Sequence, residues 1–182
     1  MRIGFTGVHG TGKTTLLREM LGWKEFEGHA FVAGLTRLQS KQNGLKINEQ
    51  GDFETQLNLA KTMSWHIRTL PNLVIDRTLL DIHCYSHYHK EQGKITTKQL
   101  NRLRTISRQQ QHKFDLVFYL RPEFEIFGDG VRSDNKDFIW AMATIFERVV
   151  HQEKMGTRLV VPLTGSVEER LQQIREAIKE NV

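Results

Sequence analysis

The run of residues from Gly7 to Thr14 has the composition and spacing of a phosphate-binding loop. It reads Gly-Val-His-Gly-Thr-Gly-Lys-Thr and matches the P-loop pattern G-x-x-x-x-G-K-[ST] at every fixed position. Its glycines allow backbone N–H groups to curl around an anion that any Cβ would crowd. Lys13 would then reach the β- and γ-phosphates of a nucleotide, and the Thr14 hydroxyl would ligate Mg²⁺. We therefore expect ATP and Mg²⁺ to bind at Gly7, His9, Gly10, Thr11, Gly12, Lys13, Thr14 and Thr15.

A carboxylate and an arginine follow a second apolar run. Asn72-Leu-Val-Ile-Asp76 reads as a buried strand that ends in an acid, and Arg77 comes next. Ligands of open α/β sheets bind beyond the carboxyl ends of the strands, so Asp76 and Arg77 should lie beside the P-loop if the two strands are neighbours. A carboxylate there suits activation of a hydroxyl nucleophile, and a guanidinium suits an anionic group.

Hydrophobic patterning predicts the elements that hold these residues. Strands are expected at 2–6, weakly within 28–37, and at 72–76, 115–120 and 158–161. Helices are expected from 13, from the N-cap Asp52, over 78–90, from the capping box at Thr96, from 134 and from the capping box at Ser166. Residues 41–51 read as an exposed loop and residues 121–135 contain a glycine-rich lid. The pattern predicts a three-layer α/β fold with a five-stranded parallel sheet in one domain over 1–182.

The composition is that of an ordinary globular protein: of 182 residues, 38% are hydrophobic and 26% are charged. No apolar run approaches the roughly eighteen residues of a membrane span, and a P-loop that begins at residue 7 leaves no room for a signal peptide. Cys84 is the only cysteine, which agrees with a reducing compartment. We therefore expect a cytoplasmic protein without membrane contact.

The positive charge is concentrated in one stretch. The net charge is +5, and no acid interrupts residues 94–113. The basic residues there are Lys94, Lys98, Arg102, Arg104, Arg108 and Lys113. Such a run is either a solvated helix face or a surface that contacts nucleic-acid phosphates, and the sequence leaves both interpretations open.

The sequence resembles the thymidylate kinase and nicotinamide riboside kinase branch of small P-loop kinases, particularly compact forms encoded by bacteriophages. Three matches carry the resemblance across most of the chain. They are residues 7–15, the run Asp76-Arg77-Thr78 with Asp81 and Tyr85, and Arg121 with Asp129-Gly-Val-Arg132 in the lid. The resemblance implies a P-loop kinase fold and an ATP-dependent phosphotransferase.

The resemblance also implies roles for individual residues. Lys13 would bind the transferred phosphate, and Asp76 would orient or deprotonate the acceptor hydroxyl and also hold Mg²⁺ through water. Arg77 would bind the acceptor, while Arg121 and Arg132 would close over the β- and γ-phosphates.

The acceptor is the least determined part of this interpretation. The family includes enzymes for free nucleotides and phage enzymes that phosphorylate 5-hydroxymethyluracil within DNA. The basic stretch at 94–113 favours the DNA acceptor slightly, in the cytoplasm of a phage host. A free nucleoside or nucleoside monophosphate is the alternative acceptor, and an ATP-binding regulatory module is the alternative function. The sequence does not indicate the oligomeric state.

Overall fold

The computed structural model describes residues 1–123, 135–152 and 160–181. Its strands are β1 Arg2–Thr6, β2 Ala30–Val32, β3 Leu73–Asp76, β4 Leu116–Leu120 and β5 Val160–Leu163. They form one parallel sheet in the order β2-β3-β1-β4-β5. The strand that leads into the P-loop therefore lies at the centre of the sheet, and the predicted five-stranded parallel sheet is confirmed.

Seven helices surround this sheet in the described part of the chain. They are α1 Lys13–Glu19, α2 Leu35–Asn43, α3 Phe53–Thr69, α4 Leu79–Glu91, α5 Thr97–Gln111, α6 Lys136–Gln152 and α7 Val167–Asn181. Two short 3₁₀ helices, at Lys24–Phe26 and Asn48–Gln50, lie between them. No helix in these ranges is long and apolar enough to cross a bilayer.

The sheet separates two apolar layers, because successive side chains of a strand point to opposite faces. In β3, Leu73 and Ile75 pack into a cluster with residues of α3 to α6, whereas Val74 packs into a second cluster with residues of α1 and α7. β4 alternates in the same way. The predicted three-layer arrangement is confirmed, and both faces of the sheet are covered, as an all-parallel sheet requires.

The predicted helix caps are present. The Asp52 side chain accepts a hydrogen bond from Thr55 N, and Thr96 forms a reciprocal capping box with Gln99. Ser166 N donates to Glu169 Oε2 at 2.7 Å, and Glu169 N donates to Ser166 Oγ at 3.2 Å. Caps are predictable because they satisfy orphan backbone groups with residues only three positions away.

One predicted element is wrong, and another ends later than predicted. A weak strand was expected within 28–37 and a loop over 41–51. Instead, Thr36, Arg37 and residues 41–43 all lie in helix α2. This helix has only Leu35 and Thr36 buried, so it lacks the apolar stripe from which a helix is recognised. The last strand, β5, ends at Leu163, two residues later than predicted, and the predicted strand residues 158 and 159 lie outside the described residues. It contains Pro162, which a sheet tolerates because β5 is an edge strand.

Candidate active site

The P-loop has the backbone conformation that its glycines predict. Gly7, Gly10 and Gly12 have φ angles of 141°, 82° and 91°. A Cβ on Gly7 would lie 2.3 Å from the carbonyl oxygen of Leu120, the last residue of β4. The loop therefore turns directly against the end of the neighbouring strand, which leaves no space for a side chain.

Lys13 lies inside the curve of the loop and is only 5% exposed. Its Nζ donates to the carbonyl oxygens of Gly7 at 2.9 Å and Val8 at 2.7 Å, and to Thr11 Oγ1 at 3.2 Å. Polar partners of this kind are necessary because a buried ammonium without them would be strongly destabilising. The loop itself thus holds a positive charge at its centre.

The P-loop and the predicted acid meet at the carboxyl edge of the sheet. Phe5 of β1 pairs with Asp76 of β3, and Arg77 N donates to Phe5 O at 2.9 Å. The Thr14 hydroxyl donates to Asp76 Oδ2 at 2.5 Å. The two motifs, 62 residues apart in sequence, therefore form one site.

The second oxygen of Asp76 is available for a cation. Asp76 Oδ1 is buried and has no hydrogen-bond partner among the described residues. Mg²⁺ is bound by hard oxygen ligands such as carboxylates and hydroxyls. Asp76 and Thr14 together therefore have the donor chemistry that this ion requires.

Arg77 turns the chain from β3 towards α4. It has a φ of 80°, a conformation that costs a non-glycine residue about 1 kcal/mol or more. Its guanidinium carbon lies 5.2 Å from the centre of the Tyr85 ring, and its NH1 lies 3.8 Å from Asp81. Burial alone would lower the pKa of Arg77, but Tyr85, Asp81 and Asp76 outweigh burial and the pKa is raised. The guanidinium therefore stays charged.

Asp81 connects α4 to the central strand. It accepts hydrogen bonds from Thr6 Oγ1 and Thr78 N, both at 2.8 Å. Burial raises the pKa of Asp81, while Arg77 and Lys13 oppose that shift. No role for Asp81 was predicted from the sequence, although the Thr78-x-x-Asp81 spacing is a capping-box signal at the start of α4.

A cleft of about 340 Å³ opens beside the P-loop. All the predicted P-loop residues line it except Gly7 and Thr11. The other lining residues are Arg18, Ala33, Gly34, Leu35, Thr36, Arg37, Ile47, Asn48, Asp76 and Arg77. The cleft thus collects four cations, on Lys13, Arg18, Arg37 and Arg77, around the single carboxylate of Asp76, which suits an anionic ligand.

A narrow recess of about 20 Å³ continues from the cleft and shares Thr36, Ile47, Asn48 and Arg77 with it. Thr36 Oγ1 and Gln56 Oε1 are buried there without a hydrogen-bond partner in the described ranges. Leaving such an atom unpaired costs about 1–3 kcal/mol. Neither residue was predicted from the sequence, in which the only signal is the polar Gln56 within the apolar pattern of α3.

His9 connects the P-loop to the helical layer. Its Nδ1 lies 3.3 Å from the Tyr85 hydroxyl, and its ring stacks on Phe138 of α6 with the centroids 5.6 Å apart. His9 is therefore a buried packing residue as well as part of the cleft wall.

The two predicted lid arginines have different outcomes. Arg132 and residues 124–134 lie outside the described residues. Arg121 follows β4, and its Nε and NH2 lie 2.8 and 3.2 Å from the carboxylate oxygens of Glu147 on α6. Arg121 does not line the cleft formed by the described residues.

The chain matches one protein family and several solved structures. The model of a family described as an AAA domain matches residues 2–170. A deoxyadenosine kinase from M. mycoides, solved with dCMP and dCDP, has a TM-score of 0.66 at 18% identity, with 99% of each chain covered. The thymidylate kinase of Candida albicans has a TM-score of 0.67 at 15% identity, covering 98% of this chain and 91% of the other.

The NadR protein in complex with NR gives a TM-score of 0.70 at 15% identity, and the match covers 98% of this chain but only 50% of NadR. A comparison with curated proteins found no match. The family model spans most of the chain, and the solved structures share its architecture. The chain therefore belongs to this AAA domain family and has the α/β fold of P-loop nucleoside and nucleotide kinases.

Proposed function

We propose that this protein transfers the γ-phosphoryl group of ATP to a free nucleoside or nucleoside monophosphate. The observation that carries the proposal is the 2.5 Å contact between Thr14 Oγ1 and Asp76 Oδ2. It puts a carboxylate next to the loop that would hold the phosphates. A regulatory ATPase would use the same carboxylate to hold Mg²⁺, but it has no need of the adjoining polar recess at Thr36 and Gln56.

Lys13 is the residue that would hold the transferred group. A bound phosphate offers its ammonium the same kind of oxygen partner that Gly7 and Val8 now provide. Exchanging neutral carbonyl partners for a charged phosphate strengthens these hydrogen bonds. The binding of ATP should therefore draw Lys13 from the loop towards the cleft that it lines.

Asp76 would orient the acceptor. For a nucleoside acceptor, its carboxylate accepts the hydrogen bond of the acceptor hydroxyl, whose oxygen attacks the γ-phosphorus in line with the bridging oxygen. The new O–P bond forms as the bond between the γ-phosphorus and that bridging oxygen breaks, and the acceptor proton passes to Asp76. ADP leaves with the electron pair of the broken bond.

Mg²⁺ is the metal that the site fits best, because Thr14 and Asp76 offer it hydroxyl and carboxylate oxygens. When bound, it would neutralise charge on the β- and γ-phosphates. Arg121 and Arg132 remain our proposal for the lid cations that would approach the same phosphates from the other side. Reaching them would require Arg121 to leave Glu147.

The polar recess supports a nucleoside-type acceptor. The Gln56 amide offers both a donor and an acceptor to the edge of a planar polar group, and Thr36 offers a hydroxyl. A nucleobase lying in the cleft could present one polar edge to this recess of about 20 Å³, whereas an apolar acceptor would leave both atoms unpaired. The deoxyadenosine kinase of similar structure, solved with dCMP and dCDP, agrees with such an acceptor.

A second candidate acceptor is 5-hydroxymethyluracil in phage DNA, which the exposed cations of α5 favour. Lys98, Arg102 and Arg108 are exposed on that helix. However, α5 leads into the start of β4, so Arg108 and Lys113 lie towards the amino edge of the sheet. Asp76 ends β3 at the opposite edge, so a path from these two cations to it would have to run along the whole stretch to Lys94, which donates to Glu49 O next to the cleft residue Asn48. A free acceptor requires no such path.

Labelled ATP with Mg²⁺ and a panel of acceptors tests these alternatives. The panel contains nucleosides, nucleoside monophosphates and DNA with and without 5-hydroxymethyluracil. Label on a small molecule supports the leading proposal, and label on modified DNA alone selects the second candidate. Release of free phosphate without any labelled acceptor contradicts both and identifies a regulatory module.

If DNA is the acceptor, reversing the charge of Arg104 and Arg108 should weaken DNA binding and flatten its salt dependence. An unchanged salt slope would exclude α5 as the DNA-binding surface. The matched control is charge reversal at Lys179, an exposed residue of α7 outside the basic stretch.

A further inference from the structure

A buried arginine from the last helix holds the P-loop. Arg170 belongs to the first turn of α7, yet it is only 2% exposed. Its NH1 donates to Thr11 O at 2.9 Å, and its NH2 lies 2.9 Å from Glu123 Oε2. The first contact joins residues 159 positions apart in the chain. Neither motif matching nor hydrophobic patterning relates this arginine to the phosphate site.

The contact with Thr11 O determines where the next amide points. The peptide bonds of the described residues are not cis, and in a trans peptide the C=O and the following N–H point in opposite directions. Arg170 holds the Thr11 carbonyl on its own side, so the Gly12 N–H points away from Arg170. Gly12 lines the cleft, whereas Thr11 does not. The N–H is thereby directed to the side from which an anion would bind.

Gly12 needs such support because glycine has more backbone freedom than any other residue. Its φ is 91°, and a Cβ built on it would lie 3.7 Å from Arg170 NH1. The guanidinium thus packs directly behind the glycine. A flexible peptide is restrained here by a charged side chain from a distant element.

Glu123 completes the arrangement. Its Oε2 accepts hydrogen bonds from both Arg170 NH2 and Gly165 N, the latter at 2.8 Å. These hydrogen bonds therefore connect four parts of the chain. They are the P-loop at Thr11, the segment after β4 at Glu123, the loop after β5 at Gly165, and α7 at Arg170. A charged arginine paired on one side keeps its orientation towards Thr11 on the other.

We propose that Arg170 is a positioning residue for the nucleotide phosphates. It orients the Thr11–Gly12 peptide so that the Gly12 N–H can donate to a phosphate. The inference rests on the proposed binding of ATP at the P-loop, but not on the identity of the acceptor.

The test compares Arg170→Met with Arg175→Met. Arg175 lies on the same helix, but its guanidinium stacks on Trp23, 4.0 Å from the centre of the ring, and not against the P-loop. We expect Arg170→Met to raise the Kd for ATP, measured calorimetrically, about tenfold or more, and to leave the KM for the acceptor within twofold. Arg175→Met should leave the Kd for ATP within twofold. An arginine that only anchors α7 would lower Tm without changing the Kd for ATP.

Arg170→Lys keeps the test decisive if the methionine variant does not fold. A lysine retains the charge but cannot reach Thr11 O and Glu123 with the fixed fork of a guanidinium. Its Kd for ATP should lie between those of the wild type and Arg170→Met. If Arg170→Met does not fold, the Kd of Arg170→Lys should be about threefold or more above that of the wild type. A Kd for ATP equal to the wild-type value in folded Arg170→Lys overturns the proposal.

The outcome is separable from that of the kinase proposal. If the wild type binds ATP but labels no acceptor, the proposed function fails. The comparison of Kd values for ATP then still tests whether Arg170 positions the phosphate-binding loop. If the wild type does not bind ATP, both fail together.

Discussion

The phosphate side and the acceptor side of the cleft are built on different principles. On the phosphate side, one contiguous loop supplies backbone groups, and Lys13 has three oxygen contacts of 2.7–3.2 Å within it. On the acceptor side, side chains from α2, α3 and α4 converge on a recess in which Thr36 Oγ1 and Gln56 Oε1 have no hydrogen-bond partner among the described residues. A loop made of backbone can bind any nucleoside triphosphate. A recess lined by unpaired side-chain atoms can discriminate between acceptors.

The difference has an energetic basis. Unpaired buried polar atoms cost about 1–3 kcal/mol each, and a ligand that satisfies them recovers that free energy. A ligand without matching groups does not, so the acceptor side rejects it. Selectivity should therefore be more sensitive to changes near Gln56, and ATP binding to changes near Lys13.

The largest expected effect is that of Lys13→Ala on the phosphate side. The loop loses its central charge, and we expect phosphoryl transfer to fall by about a thousandfold or more. A steady-state assay with labelled ATP measures it. The control is Lys24→Ala, at an exposed lysine of the first 3₁₀ helix. Activity within tenfold of the wild type in Lys13→Ala would mean that the P-loop does not hold the reacting phosphate.

Asp76→Asn tests the boundary between the two sides. The amide cannot take a proton and holds a cation poorly, so kcat should fall about a hundredfold to ten-thousandfold. The Kd for ATP measured without Mg²⁺ should change by less than about threefold, because Asp76 contacts the loop only through Thr14. Equal losses in kcat and in ATP affinity would point to a structural role for Asp76.

His89, buried in the last turn of α4 and outside both the cleft and the recess, is expected to make the stability of the fold depend on pH. It is fully buried beneath Gly51 at the start of α3, and neither ring nitrogen has a hydrogen-bond partner among the described residues. Burial and, to a smaller extent, Lys94 lower the pKa of His89 to about 4, against the opposing effect of Asp52. An unfolded histidine has a pKa of about 6.5, so between those values the unfolded chain binds more protons and stability falls as the pH falls.

The contribution of His89 to the free energy of unfolding is present above about pH 6.5 and lost by about pH 4, and amounts to at most about 3 kcal/mol. Chemical denaturation of the wild type and of His89→Leu at pH 4, 5, 6 and 7 measures it. Leucine cannot titrate, so the difference between the two proteins should depend on pH over this window. Parallel stability curves would show that His89 does not titrate as described.

The smallest of these effects is expected for Gln56→Ala in the recess. Removing one amide that meets the acceptor should raise the acceptor KM about tenfold, with the KM for ATP unchanged. The matched control is Asn58→Ala on the same helix, because Asn58 does not line the recess. If the KM for ATP changes as much as that for the acceptor, the two sides are not separate.

Local rules were sufficient for much of the fold. The P-loop, the strands ending at Thr6 and Asp76, and the caps at Asp52, Thr96 and Ser166 depend on residues within a few positions of each other. α2 was missed because a mostly exposed helix leaves no periodic apolar signal. The placements of Arg121 beside Glu147 and of Gln56 in the recess were missed because each involves residues that local patterns do not connect.

The amino-acid sequence by itself determined the phosphate loop and the kind of sheet that carries it, because both depend on short-range backbone requirements of glycine and on alternating apolar residues. The tertiary structure alone decided how the site is completed. It gives Arg77 a positive φ, brings Thr36 and Gln56 together in the recess, and places Arg170 against Thr11. These contacts form between elements far apart in the chain, and the strand order β2-β3-β1-β4-β5 is what brings them together.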